Sequence, residues 1–179
     1  MKIIAIMITK LAAFGLRLIG RGGSLPGTIA LKIDPNILQK LQMSGPIVLV
    51  TGTNGKTSTA NMLTEAFLAD GKHVISNRKG DNLLAGVTTT MLTNADLRGR
   101  IKADAAVLEV DELNIPYIIK GLPVSALVVT NFFRDQLDRA KEMEQLISRI
   151  ENSISDFKGM LILNANDPNV VRLSDAAKH

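Results

Sequence analysis

The segment Thr51-Gly52-Thr53-Asn54-Gly55-Lys56-Thr57-Ser58 follows the apolar run Ile47-Val48-Leu49-Val50 and opens a helical pattern. That is the setting in which a chain binds phosphate. Glycines let the backbone fold round the anion, successive N–H groups and a helix N-terminus aim partial positive charge at it, and a lysine reaches the outer phosphates. Lys56 takes the lysine role here and Thr57 the hydroxyl that can hold Mg²⁺; Thr51 to Ser58 together form the candidate nucleotide-binding loop. The common G-x-x-x-x-G-K-[ST] pattern would place glycine at Val50, and this sequence departs from it. A plain glycine turn after a strand is the alternative, but it leaves the Lys-Thr pair at the helix start without a reason.

A second group of polar residues should reach the same place. Glu109 ends the apolar run Ala105–Val110, where a carboxylate can complete the coordination of a Mg²⁺ shared with phosphate oxygens. It is the candidate metal ligand alongside Thr57. Asp111 and Glu112 read equally as the cap and first turn of the next helix or as catalytic groups. Asn131, Asp135 and Asp138 follow the run Ala126–Thr130 and come to the same edge, Asp138 reading equally as a helix cap. Asn164 ends the run Met160–Leu163; its amide suits a base edge, or an Asx-turn into Asp167-Pro168.

What positions these groups is an alternation of short apolar β-rich runs with helical patterns. Strands are expected over residues 47–50, 74–76, 105–110, 126–130 and 160–163, and helices over 56–69, 82–93, 112–120 and 138–155. Runs that are apolar on both faces, separated by helices, imply a parallel sheet with right-handed crossovers. The expected class is α/β, a three-layer P-loop-type sheet flanked by helices. Gly20 to Gly27, dense in Gly and Pro, is expected to be loop. The ending Ala176-Ala177-Lys178-His179 carries no helix stop signal, so truncation of a longer chain is expected.

The net charge of +4 is concentrated at the start: residues 1–40 hold six basic side chains against Asp34 alone. Residues 1–19 form a basic amphipathic pattern with no uncharged run near the ~20 apolar residues of a spanning helix. Packing against its own domain is the first expectation, and peripheral contact with an anionic bilayer the alternative. A boundary is placed between an N-terminal segment, 1–44, and an ATP-binding domain, 45–179. With no cysteine and no tryptophan, disulfides and thiolate metal sites are excluded, and stacking platforms for nucleic acid are not expected. Cytoplasm is the expected compartment, with the inner face of the plasma membrane as the alternative.

Gly52-Thr53-Asn54-Gly55-Lys56-Thr57 resembles the nucleotide loop of the Mur ligases and their folylpolyglutamate synthetase relatives. Leu25-Pro26-Gly27, Asn77-Arg78, Asn82-Leu83-Leu84, Leu108 to Glu112 and Thr130 to Arg139 narrow the resemblance to the MurT subunits of lipid II isoglutaminyl synthases. The resemblance implies ATP and Mg²⁺ as cofactors, with Lys56 and Glu109 as the catalytic pair and Asn131 and Asn164 beside the nucleotide, Asn164 towards adenine. It implies amidation of the α-carboxylate of D-glutamate in lipid II through an acyl phosphate. Ammonia would come from a GatD-type glutamine amidotransferase partner, since this chain has no cysteine nucleophile. Family members carry zinc in a four-cysteine insertion and have a C-terminal domain, neither of which these residues contain; the fragment alone is expected to be inactive. Where most Mur ligases have a metal-binding His, this sequence has Gln136, a poorer ligand. The rival readings are a Mur or folylpolyglutamate-type amino-acid ligase and a non-catalytic ATP-binding regulator.

Overall fold

The computed structural model describes residues 1–18, 23–77, 81–132 and 140–177. Its centre is a five-stranded, wholly parallel sheet of β2 (Ile47–Thr51), β3 (Val74–Ser76), β5 (Ala105–Glu109), β6 (Ala126–Val129) and β7 (Met160–Leu163). Their order across the sheet is β3-β5-β2-β6-β7, which makes β2 central. β1 (Gln42–Met43) and β4 (Arg100–Ile101) form a separate parallel pair that the sequence pattern did not reveal. Two residues per strand are too few to show a period.

Strand order decides which face each helix covers. The step from β2 to β3 runs one way across the sheet, while those from β3 to β5, β5 to β6 and β6 to β7 run the other way. Right-handed crossovers therefore put α3 (Lys56–Ala69) on one face and α4 (Leu84–Asn94), α5 (Ile115–Gly121) and α6 (Ala140–Ile154) on the opposite one. The packing agrees: Ala60, Leu63 and Phe67 of α3 meet Val50 and Val107 in a small cluster. Val87, Met91, Ile118, Ile147 and Ile150 join Leu49, Leu108 and Leu127 in the large one. β5 is buried at all five positions, as a strand covered on both faces must be.

The strands lie where the apolar runs place them, to within a residue at each end. The helices depart more. The expected 112–120 helix is instead a 3₁₀ turn, Glu112–Asn114, followed by α5, because Pro116 lacks the N–H that would continue the ladder and is tolerated only in a first turn. Asn82 and Leu83 precede α4 rather than starting it. The start of the 138–155 helix lies outside the described residues. At the end of the chain, α7 (Pro168–Val171) and α8 (Leu173–Ala176) are both one-turn helices.

The Gly/Pro-rich segment also departs from the expected loop. Leu25-Pro26-Gly27 is the first turn of α2 (Leu25–Ile33), with Pro26 where its fixed φ suits a helix start. Gly27 is there for contact: a Cβ at that position would lie 1.9 Å from the Ala85 carbonyl oxygen. The Gly27 N–H donates to Thr89 Oγ1 at 2.8 Å, which locks α2 onto α4 at backbone distance. α1 (Lys2–Leu18) packs on both, and Ala5, Ile6 and Ala30 enter the large core with the sheet residues. Lys2 Nζ donates to the Arg98 carbonyl and Lys10 Nζ to that of Thr93, so α1 runs antiparallel to α4.

Gly27→Ala is expected to lower stability by about 1–3 kcal/mol in chemical denaturation through overpacking. Gly15→Ala, in α1 with nothing within 4 Å of the added carbon, should raise it by about 0.5–1 kcal/mol. A pH effect follows from Arg172, whose guanidinium holds Glu144 of α6 by two hydrogen bonds of 2.9 and 2.7 Å. The side-chain hydrogen bond from Arg172, reinforced by its charge, lowers the Glu144 pKa from the usual carboxylate value. A depressed folded-state pKa gives stabilisation that is present above the unfolded value and lost as pH falls through the folded one. Glu144→Gln should flatten that acid limb of a stability-against-pH curve.

Candidate functional site

The loop between β2 and α3 is built around two glycines in left-handed or extended-positive backbone. Gly52, at φ 127°, lies so close to the exit of β6 that a Cβ would stand 2.2 Å from Thr130 Oγ1 and 2.8 Å from the Asn131 carbonyl oxygen. No other residue fits. Gly55, at φ 81°, turns the chain into α3 with open space around it, so its need is conformational alone.

The exit of β6 then braces the loop. Asn131 Oδ1 accepts from the Asn54 N–H at 3.0 Å, and its Nδ2 donates to the Asn54 carbonyl at 2.9 Å. Thr53 N–H donates to the Asn131 carbonyl at 2.8 Å, and Thr130 Oγ1 donates to the Asn54 carbonyl at 2.7 Å. The amides of Thr53 and Asn54 are thus held by Asn131. The N–H groups of Lys56, Thr57 and Ser58, in the first turn of α3, have no acceptor within the helix and face the edge where an anion would sit. Thr57 and Ser58 are exposed.

Lys56 is half-buried. Its ammonium turns back to donate to the carbonyls of Gly52 and, at 3.2 Å, Thr53, and lies 3.4 Å from Glu112 Oε1. A primary ammonium needs up to three acceptors, and the curled loop supplies two of them. Glu112, for which the sequence left two roles open, is the counter-charge of the loop lysine. Asp111 caps the 3₁₀ turn by accepting from the Leu113 N–H at 3.0 Å.

Glu109 is buried at the end of β5, in register with Val50 of β2. Asn77, at the exit of β3, clasps its backbone: Oδ1 accepts from the Glu109 N–H and Nδ2 donates to its carbonyl, each at 2.8 Å. Asn82 Nδ2 donates to Glu109 Oε1 at 3.2 Å. Sequence reasoning gave neither asparagine a role; the signal was an Asn directly after a strand and another before a helix. Asn164 Nδ2 donates to the Thr130 carbonyl at 2.8 Å while Oδ1 accepts from the Asn166 N–H at 3.0 Å, which is the Asx-turn geometry. Asp167 caps α7 and accepts from the Phe132 N–H at 2.7 Å, a second tie between the exits of β6 and β7. Asp135, Gln136 and Asp138 lie outside the described residues.

The residue types at this edge suit phosphate oxygens and a hard divalent cation. Gly55 turns the chain with open space around it at the head of α3, and Thr57 and Glu109 carry hard oxygen donors of the kind Mg²⁺ takes alongside phosphate and water. Among the described residues no three His, Cys, Asp or Glu side chains cluster as an all-protein metal site. The sequence of residues 50–179 matches the Mur ligase middle domain. The chain belongs to the Mur ligase family. It is 41% identical to the lipid II isoglutaminyl synthase (glutamine-hydrolyzing) subunit MurT of Staphylococcus aureus (strain COL), over 97% of this chain and 39% of that protein. The subunit of the same name from Streptococcus pneumoniae (strain ATCC BAA-255 / R6) is 37% identical, over 87% of this chain and 34% of its own length. The chain thus spans well under half of these relatives. The structure of a UDP-N-acetylmuramoyl-L-alanyl-D-glutamate–2,6-diaminopimelate ligase has the same fold, with a TM-score of 0.56 and 17% identity over 84% of this chain and 32% of that one. For a Mur ligase middle domain, the observed order of elements places the loop, Glu109 and Asn131 at one sheet edge.

Asn131→Ala should speed hydrogen exchange at the Asn54 amide by removing its acceptor, while leaving protection in β5 unchanged. Asn77→Ala should cost about 1–3 kcal/mol in urea denaturation, since it strands the buried Glu109 N–H.

Proposed function

We propose that this chain binds Mg²⁺-ATP at the Thr51–Ser58 loop and serves the synthetase subunit of an enzyme that amidates a carboxylate of a cell-wall precursor. The observation that carries the reading is the glycine loop clamped by Thr130 and Asn131, opening into α3 with buried Glu109 at the neighbouring strand end. Similarity to MurT subunits supports the finer assignment. The substrate is lipid II, the group amidated is the α-carboxylate of its D-glutamate, and the ammonia comes from a GatD-type glutamine amidotransferase partner.

The chemistry asks little covalent work of the protein. A carboxylate oxygen attacks the γ-phosphorus, ADP leaves, and the resulting acyl phosphate has a leaving group that a bare carboxylate lacks. Ammonia then attacks the carbonyl carbon, phosphate departs, and a proton is lost to give the amide. Lys56 and the first-turn amides of α3 stabilise the charge in transit on the phosphoryl oxygens. Thr57 and Glu109 hold Mg²⁺, which neutralises charge on the phosphates when bound. Asn131 positions the loop, Asn77 and Asn82 position Glu109, and Glu112 holds the lysine in reach. Asn164 fixes the exit of β7 beside the place where a base would lie.

Lys56→Ala should weaken Mg²⁺-ATP binding about 10- to 100-fold, the equivalent of a charge-assisted contact, with the circular-dichroism spectrum retained. Isothermal titration measures the first. Unchanged affinity in a folded variant would remove the loop from the site. In the longer protein, phosphate release that depends on an added amino acid, and not on ammonia, would favour a Mur-type amino-acid ligase instead.

A further inference from the structure

α1 packs on its own domain, but through the face opposite to the one its sequence pattern offers. Ala5, Ile6 and Thr9 are buried against α2 and α4. Ile3, Ile4, Met7, Leu11, Phe14 and Leu18 are each 47–73% exposed. At 100° per residue these six fall within one arc of about 100°, and positions 4, 7, 11, 14 and 18 repeat at the 3-4 spacing of a single stripe. Scattered apolar residues on a surface are ordinary; a continuous stripe of six along four turns is not. On one flank of this arc lie Lys10 and Arg17, the latter exposed.

We propose that this stripe is a membrane-docking surface, with α1 lying in the plane of an anionic bilayer and its apolar side chains among the acyl chains. Charge decides the occupant. The first forty residues carry six basic groups against Asp34 alone, and Asp34 is buried and held by Lys40 at 2.6 Å. A second copy of the chain would bring the same excess of positive charge against it, which disfavours a homodimer through this face. An anionic lipid surface brings the opposite charge, and the basic flank would rest at headgroup depth. No helix among the described residues is long and apolar enough to cross a membrane, so the contact is peripheral.

The helix also connects this surface to the nucleotide edge. α1 runs antiparallel to α4, so its Leu18 end lies towards the N-terminus of α4 and Asn82. A Cβ at Gly23, where the chain is next described, would stand 3.7 Å from the Asp81 carboxylate, and the Asp81 carbonyl accepts from Asn77. Docking would bring the edge that holds Glu109 close to the lipid headgroups. The inference rests on α1 and is independent of the reaction proposed for the site.

The test is cosedimentation of the chain with vesicles of phosphatidylcholine containing phosphatidylglycerol, compared with phosphatidylcholine alone. Binding is expected to the anionic vesicles, to weaken as salt rises from about 0.1 to about 1 M, and to fall at least about tenfold in the double variant Leu11→Ser, Phe14→Ser. Both side chains are exposed, so the thermal midpoint and Mg²⁺-ATP affinity of the variant should match the parent; the titration reports separately on the nucleotide reading. Equal vesicle binding by parent and variant would overturn the proposal. So would absence of vesicle binding, whether the chain is then monomeric or forms a dimer that the double variant breaks in analytical ultracentrifugation.

Discussion

The exits of β2 and β6 are fastened together by one asparagine side chain and one missing side chain. Asn131 holds both backbone groups of Asn54, and Gly52 vacates the space that Thr130 and the Asn131 backbone occupy. With that pair in place, the loop can turn only one way into α3, and the first-turn amides open towards the sheet edge. The clasp depends in turn on the parallel pairing that sets Thr51 opposite Val129. A slip of one residue would aim Asn131 at the opposite face and leave the Asn54 N–H without its acceptor.

The same edge gathers three further groups by the same geometry. Asn77, Glu109 and Asn164 all stand at or just beyond the ends of parallel strands, so strand polarity delivers them together although up to 87 residues of sequence separate them. Glu109 is a buried carboxylate, which would be costly without partners; Asn82 reaches its oxygen, and Asn77 fixes the backbone that carries it. Lys56 is held by loop carbonyls and Glu112, neighbours that a phosphate group would have to replace. The loop backbone and Glu109 are organised by the protein's own hydrogen bonds, an ordering cost that falls on folding, and the Lys56 ammonium is the group that would have to exchange partners.

Among the described residues one face carries α3 alone, while the opposite face carries α4, α5 and α6 and, packed on α4, α1 and α2. That asymmetry follows from the position of β2 at the centre of the strand order. It also explains why α1 can be both packed and exposed: α2 and α4 are satisfied by Ala5, Ile6 and Thr9, small or medium side chains that let helices approach, and among the described residues none covers the larger side chains on the far side.

Sequence alone determined the parallel α/β class, the strands of the central sheet, the glycine loop that leads from β2 into a helix headed by Lys56, and the place of Glu109 at a strand end. Each is a local signal: apolar runs, glycines at fixed offsets, and a lysine at a helix start, all readable within a dozen residues. The roles of Asn77, Asn82, Thr130 and Glu112 were not legible, because each acts on a residue 27 to 79 positions away and no local pattern encodes its partner. α2 was missed and the start of α5 misplaced for a related reason: a proline that breaks a helix interior is welcome in a first turn, and only packing tells which it is. The orientation of α1 was decided last of all. Its sequence offered one strongly apolar face and one weaker one, and hydrophobicity would have buried the first; backbone approach to α2 and α4 buried the small-residue face instead, since close helix packing rewards fit as well as area.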